Sequence, residues 1–186
     1  MSDSQIILIT GASRGIGKTC AEYLGRRGYQ VYGASRRAAP EPTPSGSFQM
    51  IQMDVDDDAS VKRGVDLIVK REGRLDVAVN NAGVALVGPI EDMTLDEARA
   101  HLETNFFGVL RVCQAVLPIM REQGVGYIIN MSSMAGRAGL PYQGMYSAGK
   151  FAVEGLTEAL RFEVRHLGIK VALVEPGDIR TQDCRT

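Results

Sequence analysis

Short apolar runs and helical patterns of apolar residues alternate along the whole chain. The runs are rich in β-branched residues, and such runs are typical of strands that are buried on both faces of a parallel sheet. We predict six strands, at residues 6–10, 30–34, 48–53, 75–79, 127–131 and 170–174.

Helical periodicity occupies most of the segments between these strands. Apolar residues spaced by three and four positions predict helices at 16–27, 56–71, 94–117 and 142–167. Thr94 and Glu97 have the spacing of a capping box, which predicts a helix start. We end that helix before Pro118 because proline removes a backbone donor. Residues 38–47 contain three prolines, which predicts a loop.

Repeated alternation of strand and helix, with no break in composition, predicts a single α/β domain over residues 1–186. We expect a Rossmann-like, doubly wound parallel sheet with right-handed crossovers and the strand order 3-2-1-4-5-6. Ligands of such sheets bind beyond the carboxyl ends of the strands. The motifs described below follow those strand ends, so we expect them to form one site.

Composition and charge narrow the class of protein. Of the 186 residues, 45% are hydrophobic and 23% are charged, as in ordinary globular proteins. The net charge of −1 gives no reason to expect nucleic acid or an acidic membrane surface as a partner. The longest apolar runs are too short to span a bilayer, and no signal sequence precedes the first strand. The three cysteines and two histidines lack disulfide or metal-ligand spacing, so we expect a reduced, cytoplasmic protein without a metal site.

Three glycines, Gly11, Gly15 and Gly17, join the first strand to the first helix. Glycine lets the backbone approach a phosphate closely, and the helix N-terminus offers N–H groups and partial positive charge. The turn has a second interpretation, because Gly17-Lys18-Thr19 ends like the phosphate loop of nucleoside triphosphatases. That interpretation needs an Asp for magnesium at a strand end, for which Asp54 is available, and it leaves the later motifs unexplained.

A tyrosine and a lysine one helical turn apart form a second candidate site. Tyr146 and Lys150 leave the same face of the predicted helix. An ammonium group close to a phenol lowers the pKa of the phenol, and a tyrosine that exchanges its proton near neutral pH is a general acid/base. Ser133 follows the fifth strand, where its hydroxyl can bind a substrate oxygen. Taken alone, such a Tyr-Lys pair is more often an ordinary exposed pair on a helix.

Together these motifs resemble those of the short-chain dehydrogenase/reductase family. Thr10-Gly-x-x-x-Gly-x-Gly17 matches the family's cofactor turn, and Asn80-Asn-Ala-Gly83 matches the motif at its fourth strand. Pro176-Gly177 with Thr181 matches its nicotinamide-side motif. The catalytic tetrad of the family is matched by Asn105, Ser133, Tyr146 and Lys150. The matches cover nearly the whole chain in the family's order, with a looser similarity to hydroxysteroid and retinol dehydrogenases.

The resemblance implies a role for each residue of the tetrad. Tyr146 exchanges the proton with the substrate oxygen, and Ser133 orients and stabilises that oxygen. Lys150 lowers the pKa of the tyrosine and holds the nicotinamide ribose, while Asn105 keeps a water in a proton relay. The reaction is hydride transfer between nicotinamide and a carbon that carries an alcohol or carbonyl oxygen. The implied cofactor contacts are Gly11, Ser13, Arg14, Gly15, Ile16, Gly17, Ser35, Arg36, Asp54, Val55, Asn80, Ala82, Gly83, Tyr146, Lys150, Pro176, Gly177, Ile179 and Thr181.

The end of the second strand argues for NADP(H) rather than NAD(H). NAD enzymes place an acid there to hold the ribose hydroxyls, whereas an Arg accommodates the 2′-phosphate of NADP. This chain has Ala34-Ser35-Arg36-Arg37 and no acid, and Arg14 adds a cation in the glycine turn. We predict a preference for NADP(H), with NAD(H) as the alternative. We expect Asp54 to bond the adenine amino group and Asn80 to line the adenosine side.

The resemblance also carries expectations about substrate, assembly and length. Met131, Met134, Met145 and the apolar run 84–90 can line an apolar pocket for an alcohol or carbonyl substrate, although packing explains them equally well. Family members pair through the tyrosine-bearing helix and the helix before it, which implies a homodimer or homotetramer. Members usually continue beyond the Pro-Gly motif with a substrate lid and a seventh strand, so we expect this chain to be truncated. A non-catalytic dinucleotide-binding protein of the same fold remains an alternative.

Overall fold

A single seven-stranded sheet with helices on both faces forms the centre of the molecule. The computed structural model describes residues 4–39 and 42–179. Its strands are β1 (Ile6–Thr10), β2 (Gln30–Ser35), β3 (Thr43–Ser45), β4 (Phe48–Gln52), β5 (Val77–Asn80), β6 (Gly126–Met131) and β7 (Ile169–Val174). Its α-helices are α1 (Gly15–Arg26), α2 (Asp58–Glu72), α3 (Leu95–Leu102), α4 (Gly108–Gln123) and α5 (Gly144–Val164).

The strands lie in the order β3-β4-β2-β1-β5-β6-β7. All neighbouring strands are parallel except β3 and β4, which are antiparallel. Without β3, this order is the one predicted from the sequence, and the Rossmann-like doubly wound fold is confirmed. The carboxyl ends of β1, β2, β4, β5, β6 and β7 therefore meet at one edge of the sheet, where the sequence motifs follow them.

The alternation of side chains along β1 divides the core into two layers. Ile6 and Leu8 pack on one face with buried residues of α2, α4 and α5. Ile7 and Ile9 pack on the other face with Ala21 of α1. Successive residues of a strand point to opposite faces, so a strand covered on both sides must be apolar throughout. This explains why the strand appears in the sequence as a continuous apolar run.

The expected loop at 38–47 contains a strand that the sequence analysis missed. Thr43–Ser45 forms β3 and pairs with β4, with Pro44 opposite Gln49. Proline is tolerated on an edge strand because its missing N–H can face away from the ladder. The sheet therefore has seven strands rather than the six predicted, and the additional strand lies at the β4 edge.

The long helix predicted at 94–117 differs from the structure in two ways. It is divided into α3, a π-helical segment at Glu103–Phe107, and α4, which continues past the exposed Pro118 to Gln123. An interior proline costs about 3 kcal/mol. Complete burial of Met120 contributes about 2 kcal/mol on its own, and further apolar residues of α4 add to it. The capping box at Thr94 and Glu97 is confirmed.

A chain of buried amides connects the strands beneath the site. The Asn80 side chain donates to Asn130 Oδ1 at 2.8 Å, and Asn130 Nδ2 donates to Thr157 Oγ1 at 2.8 Å. All three side chains are buried. The network joins β5, β6 and α5, and so fixes the position of the helix that carries Tyr146 and Lys150.

Replacing Asn130 by Ala is expected to lower the free energy of unfolding by about 2 kcal/mol, because Asn80 Nδ2 and Thr157 Oγ1 each lose one buried hydrogen bond. Urea unfolding of wild type and variant measures the change. Gln52→Ala, which removes an exposed strand amide, is the control and is expected to stay within about 0.5 kcal/mol. Equal stability of Asn130→Ala and wild type would contradict this role of the network.

Three further findings concern the described residues alone. No helix within 4–39 and 42–179 combines the length and the apolar character needed to cross a membrane. No group of three or more His, Cys, Asp or Glu in these ranges has an arrangement that could hold a metal ion. Cys20 is exposed and Cys113 is buried, and burial raises the pKa of Cys113 to about 12, so its thiol stays protonated. Cys184 lies outside the described residues.

Candidate active site

A groove of about 410 Å³ opens along the carboxyl ends of the strands. Its volume is within the range of small-molecule sites, about 300–1,000 Å³. It begins at the arginines that follow β2 and ends at Val84, beyond β5. Predicted cofactor contacts that line it are Gly11, Ser13, Arg14, Gly15, Ile16, Ser35, Arg36, Asp54, Val55, Ala82 and Gly83.

The glycine turn is held tightly against the segment that follows β5. Gly11 has φ of +66°, and a Cβ at this position would lie 2.8 Å from the Ala82 Cα. A Cβ on Gly17 would lie 2.6 Å from the Gly11 carbonyl oxygen. A larger residue at position 11 would push the turn away from Ala82, so glycine is required there by space as well as by conformation, whereas at position 17 it is required by space.

Asn81 locks this turn in place, a role that the sequence analysis did not assign. Its Nδ2 donates to the carbonyl oxygens of Thr10 at 2.9 Å and Gly11 at 3.2 Å. In return, Thr10 Oγ1 accepts the backbone N–H groups of Asn81 and Ala82, each at 3.0 Å. Asn81 also lines the groove. The Asn80-Asn81 pair is visible in the sequence, but the sequence analysis expected Asn80 rather than Asn81 to line the cofactor site.

The structure does not place Asn80 in the groove. Its side chain is buried and donates to Asn130, and of the motif at 80–83 only Asn81, Ala82 and Gly83 line the groove. Strand alternation is the reason, because Asn80 and Asn81 point to opposite sides.

The lysine and threonine of the possible phosphate loop are also missing from the groove lining among the described residues. Lys18 points to the exposed face of α1, where its Nζ lies 3.9 Å from a Glu22 carboxylate oxygen. Thr19 Oγ1 donates to the Gly15 carbonyl at 3.1 Å. Neither side chain is directed at the groove, which argues against a nucleoside triphosphatase.

Arginines and carboxylates both line the outer groove. Arg36 and Arg37 follow β2, and the positive charge of Arg36 acts on the carboxyl of Asp56. Asp54 and Asp56 lie beyond β4. Asp56 accepts from Thr104 Oγ1 at 2.9 Å, while partial burial raises the pKa of the Asp56 carboxyl. Asp56 and Thr104 were not predicted to be groove residues, and the sequence held no motif for them.

Lys150 is buried beside the end of β6. Its Nζ donates to the Met131 carbonyl oxygen at 2.7 Å and lies 5.7 Å from the centroid of the Tyr146 ring. Burial lowers the pKa of Lys150 to about 8, so the ammonium form dominates at pH 7. The predicted pairing of these two residues on one helix face is thus present in the structure.

Asn105 ties the inner end of the groove to this pair. It lies in the π-helical segment, and its amide bonds both backbone groups of Val84, accepting from N–H at 2.8 Å and donating to the carbonyl at 2.7 Å. It also contacts His101 Nε2. The His101 ring meets the Tyr146 ring edge-on, with centroids 6.0 Å apart. π-Helical turns within α-helices are frequently found at functional sites.

Ser133 stands at the end of β6, two residues after the carbonyl that holds Lys150. Its Oγ accepts the Ala135 N–H at 3.1 Å, which leaves the hydroxyl hydrogen available for another acceptor. The next residue, Met134, donates its N–H to the Pro176 carbonyl at 3.1 Å. This bond and the contact of Met134 with Gly177 bring the Pro-Gly motif against the serine turn. Ile179 is exposed, and Thr181 lies outside the described residues.

Replacing Lys150 by Met is expected to leave the protein at least as stable as wild type at pH 7. Burial of the ammonium depresses the pKa from 10.5 to about 8, a cost on the order of 3 kcal/mol. The lost bond to the Met131 carbonyl offsets about 1 kcal/mol of the gain. Between pH 8 and 10.5 the unfolded lysine binds a proton that the folded lysine does not, so wild-type stability gains with pH and the difference shrinks.

Urea unfolding of both proteins at several pH values from 7 to 10.5 measures this difference. Lys62→Met is the control, since Lys62 is exposed and its removal is expected to give a difference that does not change in this way. A Lys150→Met difference that stays constant with pH would show that the lysine is not desolvated.

The comparisons with known proteins agree with this geometry. A family model described as short chain dehydrogenase matches residues 5–185. The chain belongs to the short-chain dehydrogenase family. The chain is 50% identical over 177 residues to a 3-ketodihydrosphingosine reductase of Bacteroides thetaiotaomicron, covering 95% of this chain and 65% of that protein. It is 38% identical over 194 residues to retinol dehydrogenase 8 of Bos taurus, and the match covers 98% of this chain and 62% of that protein.

Solved structures share this fold. ElxO with NADP bound superposes with a TM-score of 0.89 at 33% identity, covering 96% of this chain and 75% of that chain. A short-chain dehydrogenase/reductase from Burkholderia phymatum in complex with NAD superposes with a TM-score of 0.87 at 27% identity, covering 96% and 67%. The chain spans 62–65% of the length of the two curated relatives described above.

Proposed function

We propose that this chain is one domain that carries both the cofactor site and the catalytic residues of an NADP(H)-dependent oxidoreductase. The proposed reaction is the interconversion of a secondary alcohol and a ketone, with Tyr146 as general acid/base. The observation that carries the proposal is the arrangement at the inner end of the groove. There Asn105 bonds the backbone of Val84, where the groove ends, and contacts His101, whose ring meets that of Tyr146 beside the buried Lys150.

The groove suits a dinucleotide in three respects. The tight approach of Gly11 to Ala82 leaves no room for a side chain, as a turn that cradles phosphate requires. The N-terminus of α1 borders the groove, and its first turn contains no acidic residue to compete for its N–H groups. Arg36 and Arg37 supply positive charge at the outer end.

Each catalytic residue then has a defined task in ketone reduction. The Tyr146 hydroxyl donates its proton to the carbonyl oxygen, and the Ser133 hydroxyl donates a hydrogen bond to the same oxygen. The Lys150 ammonium stabilises the negative charge that develops on the phenol oxygen of Tyr146. When bound, the nicotinamide cofactor supplies the hydride. In alcohol oxidation the same proton moves in the opposite direction.

The buried lysine argues against the alternative of a non-catalytic binding protein. Keeping an ammonium group in a desolvated position destabilises the fold, as the lowered pKa of Lys150 indicates. A binding protein would use this lysine only to hold the ribose, whereas a proton-transfer site also requires the positive charge next to the tyrosine.

NADP(H) is the proposed cofactor, with NAD(H) as the weaker alternative. One solved relative has NADP bound and another is in complex with NAD, so family membership alone does not identify the cofactor. Arg36 and Arg37 at the end of β2 match the charge of a 2′-phosphate, and residues 34–37 contain no acid at the position where NAD enzymes place one.

A ketone with a long alkyl chain is the proposed substrate class. The loop after β5 is held to the start of α5 by the Gly88 N–H donating to the Tyr142 carbonyl at 2.8 Å. Apolar side chains around this junction and the Pro-Gly motif are exposed, namely Val87, Ile90, Met134, Tyr142 and Ile179. The relative that is 50% identical is a 3-ketodihydrosphingosine reductase. We therefore take 3-ketodihydrosphingosine as the first candidate.

The test is NADPH oxidation, followed by absorbance, with 3-ketodihydrosphingosine and with a short ketone such as butanone. We expect turnover of the long-chain ketone at least about tenfold more efficient in kcat/KM, because each buried methylene contributes about 0.8 kcal/mol. Turnover of both ketones at equal efficiency would remove the apolar-chain assignment but keep the reductase. No NADPH oxidation with any ketone or aldehyde would refute the proposed function.

We also propose that the protein pairs through α4 and α5. Phe151 and Phe162 on α5 are 47% and 70% exposed, as expected for a face that a second copy covers. Sedimentation of wild type and a Phe151→Glu/Phe162→Glu variant tests this, and a monomeric wild type would contradict it.

A further inference from the structure

His101 is a buried histidine that the proposed reaction does not yet use. It lies in the last turn of α3, one turn before Asn105, and only 3% of its surface is exposed. It does not line the groove. The sequence analysis assigned it no role, because no second histidine or cysteine has a spacing that would make it a metal ligand.

The hydrogen bonds of Asn105 determine which nitrogen of His101 carries the proton. Asn105 Oδ1 accepts from the Val84 N–H, so its other amide atom is the donor Nδ2. One Nδ2 hydrogen goes to the Val84 carbonyl, and the second faces His101 Nε2. A nitrogen that accepts a hydrogen bond is unprotonated. In a neutral imidazole the proton is therefore on Nδ1.

The other side of the imidazole is packed against α5. Its ring meets the Tyr146 ring edge-on, with an interplanar angle of 73°. A Cβ on Gly149 would lie 3.4 Å from His101 Cε1 and 3.7 Å from Nδ1. His101 therefore touches the helix between Tyr146 and Lys150. Within the described residues, the buried Nδ1 has no hydrogen-bond partner.

We propose that His101 is a positioning residue that, as a neutral imidazole, joins the Asn105 amide to the Tyr146 ring and so holds the phenol in register with Lys150. This role rests on the proposed function, since it gives Tyr146 its catalytic task. His101 reaches the reacting atoms only through Asn105 and Tyr146, and no proton is transferred through it.

Protonation of His101 would disrupt this arrangement in two ways. The imidazolium can no longer accept from Asn105, and it places a second positive charge near Lys150. Burial has the largest effect and lowers the pKa of His101. A hydrogen bond to the Val84 backbone raises the pKa by less, and the charge of Lys150 lowers it, so His101 is neutral at pH 7. The titratable groups that face it are Tyr146 and Lys150 of α5, while the segment after β5 presents the backbone of Val84. We expect activity to fall on the acid side as His101 gains its proton.

Nitrogen-15 NMR of the two histidines tests the structural part without any cofactor or substrate. His166 is exposed and is identified by its loss in His166→Gln. We expect His101 to show the Nδ1–H tautomer at pH 7 and to gain its second proton only below the ordinary histidine pKa of about 6.5. Protonation of His101 on Nε2 at pH 7, or a pKa of His101 at or above the ordinary value, would overturn the proposal.

Two variants with opposite expectations test the functional part. In His101→Gln the side-chain oxygen can accept from Asn105 but does not titrate, whereas His101→Leu fills space without an acceptor. We expect His101→Leu to lower kcat about tenfold or more while the KM for NADPH stays within about twofold of wild type. We expect His101→Gln to keep most of the wild-type kcat and to lose the fall in activity at acidic pH. His166→Leu, a change at an exposed position, is the matched control.

Other outcomes separate this proposal from the proposed function. Wild-type activity in His101→Leu, or equal loss in the Leu and Gln variants, would overturn the positioning role while leaving the reductase intact. A wild type that never oxidises NADPH would refute the proposed function and the catalytic role of His101 with it. In that case, the NMR tautomer still decides whether His101 holds Asn105.

Discussion

Replacing Tyr146 by Phe is expected to lower kcat for ketone reduction by about a thousandfold, while the affinity for NADPH changes less than about twofold. The substitution removes the hydroxyl that donates the proton and keeps the ring that packs against His101. General acid catalysis contributes about 10²–10⁴-fold, which sets the size of the effect. Steady-state kinetics with 3-ketodihydrosphingosine and fluorescence titration with NADPH measure the two quantities.

Tyr142→Phe is the matched control for this experiment. Tyr142 is 67% exposed and precedes α5 by two residues, so it shares the location but not the contact with Lys150. We expect its kcat to stay within about threefold of wild type. Activity of Tyr146→Phe above a tenth of wild type would remove the tyrosine from the acid/base role.

Replacing Arg36 by Ala is expected to weaken NADPH binding about 30-fold and to change NADH binding less than about twofold. A charge-assisted hydrogen bond to a phosphate is worth about 2 kcal/mol, which corresponds to this factor. NADH lacks the 2′-phosphate, so it loses no such bond. Titration of the wild type and the variant with both cofactors at the same salt concentration measures the change.

Arg26→Ala controls for the lost positive charge. Arg26 is exposed in the last turn of α1, where it pairs with Glu22 away from the groove. We expect both cofactor affinities to remain as in wild type. If Arg36→Ala weakened NADPH and NADH equally, the arginine would bind a part that both cofactors share, and the 2′-phosphate assignment would be wrong.

The sheet could be predicted from sequence because its signal is local. Because β1 is buried on both faces, the sequence shows four consecutive apolar residues there, and the glycine turn and Pro-Gly motif follow strands whose ends must meet. Two predictions failed where tertiary packing decides. Pro118 is tolerated within α4 because neighbouring apolar residues of the helix are buried, and β3 forms because it pairs with β4.

The sequence indicates site residues only where they belong to a recognisable motif. The structure places Lys150 beside the Tyr146 ring, as their spacing suggested, and links Asn105 to that ring through His101, while the catalytic roles of the three residues stay predictions. Asn81, Asp56 and Thr104 were missed because their places depend on side-chain direction and long-range contacts. His101 was missed for the same reason, since only its spacing of four from Asn105 was visible.

Equilibrium titration of this chain with NADPH, NADH and Mg-ATP is the most direct test of the central claim. We predict saturable NADPH binding in the micromolar range and NADH binding at least about tenfold weaker, a difference of about 1.4 kcal/mol. We predict no competition by Mg-ATP at the concentrations at which NADPH saturates. Binding of Mg-ATP without binding of either nicotinamide cofactor would contradict the account, because it would make the glycine turn a phosphate loop rather than a nicotinamide dinucleotide site.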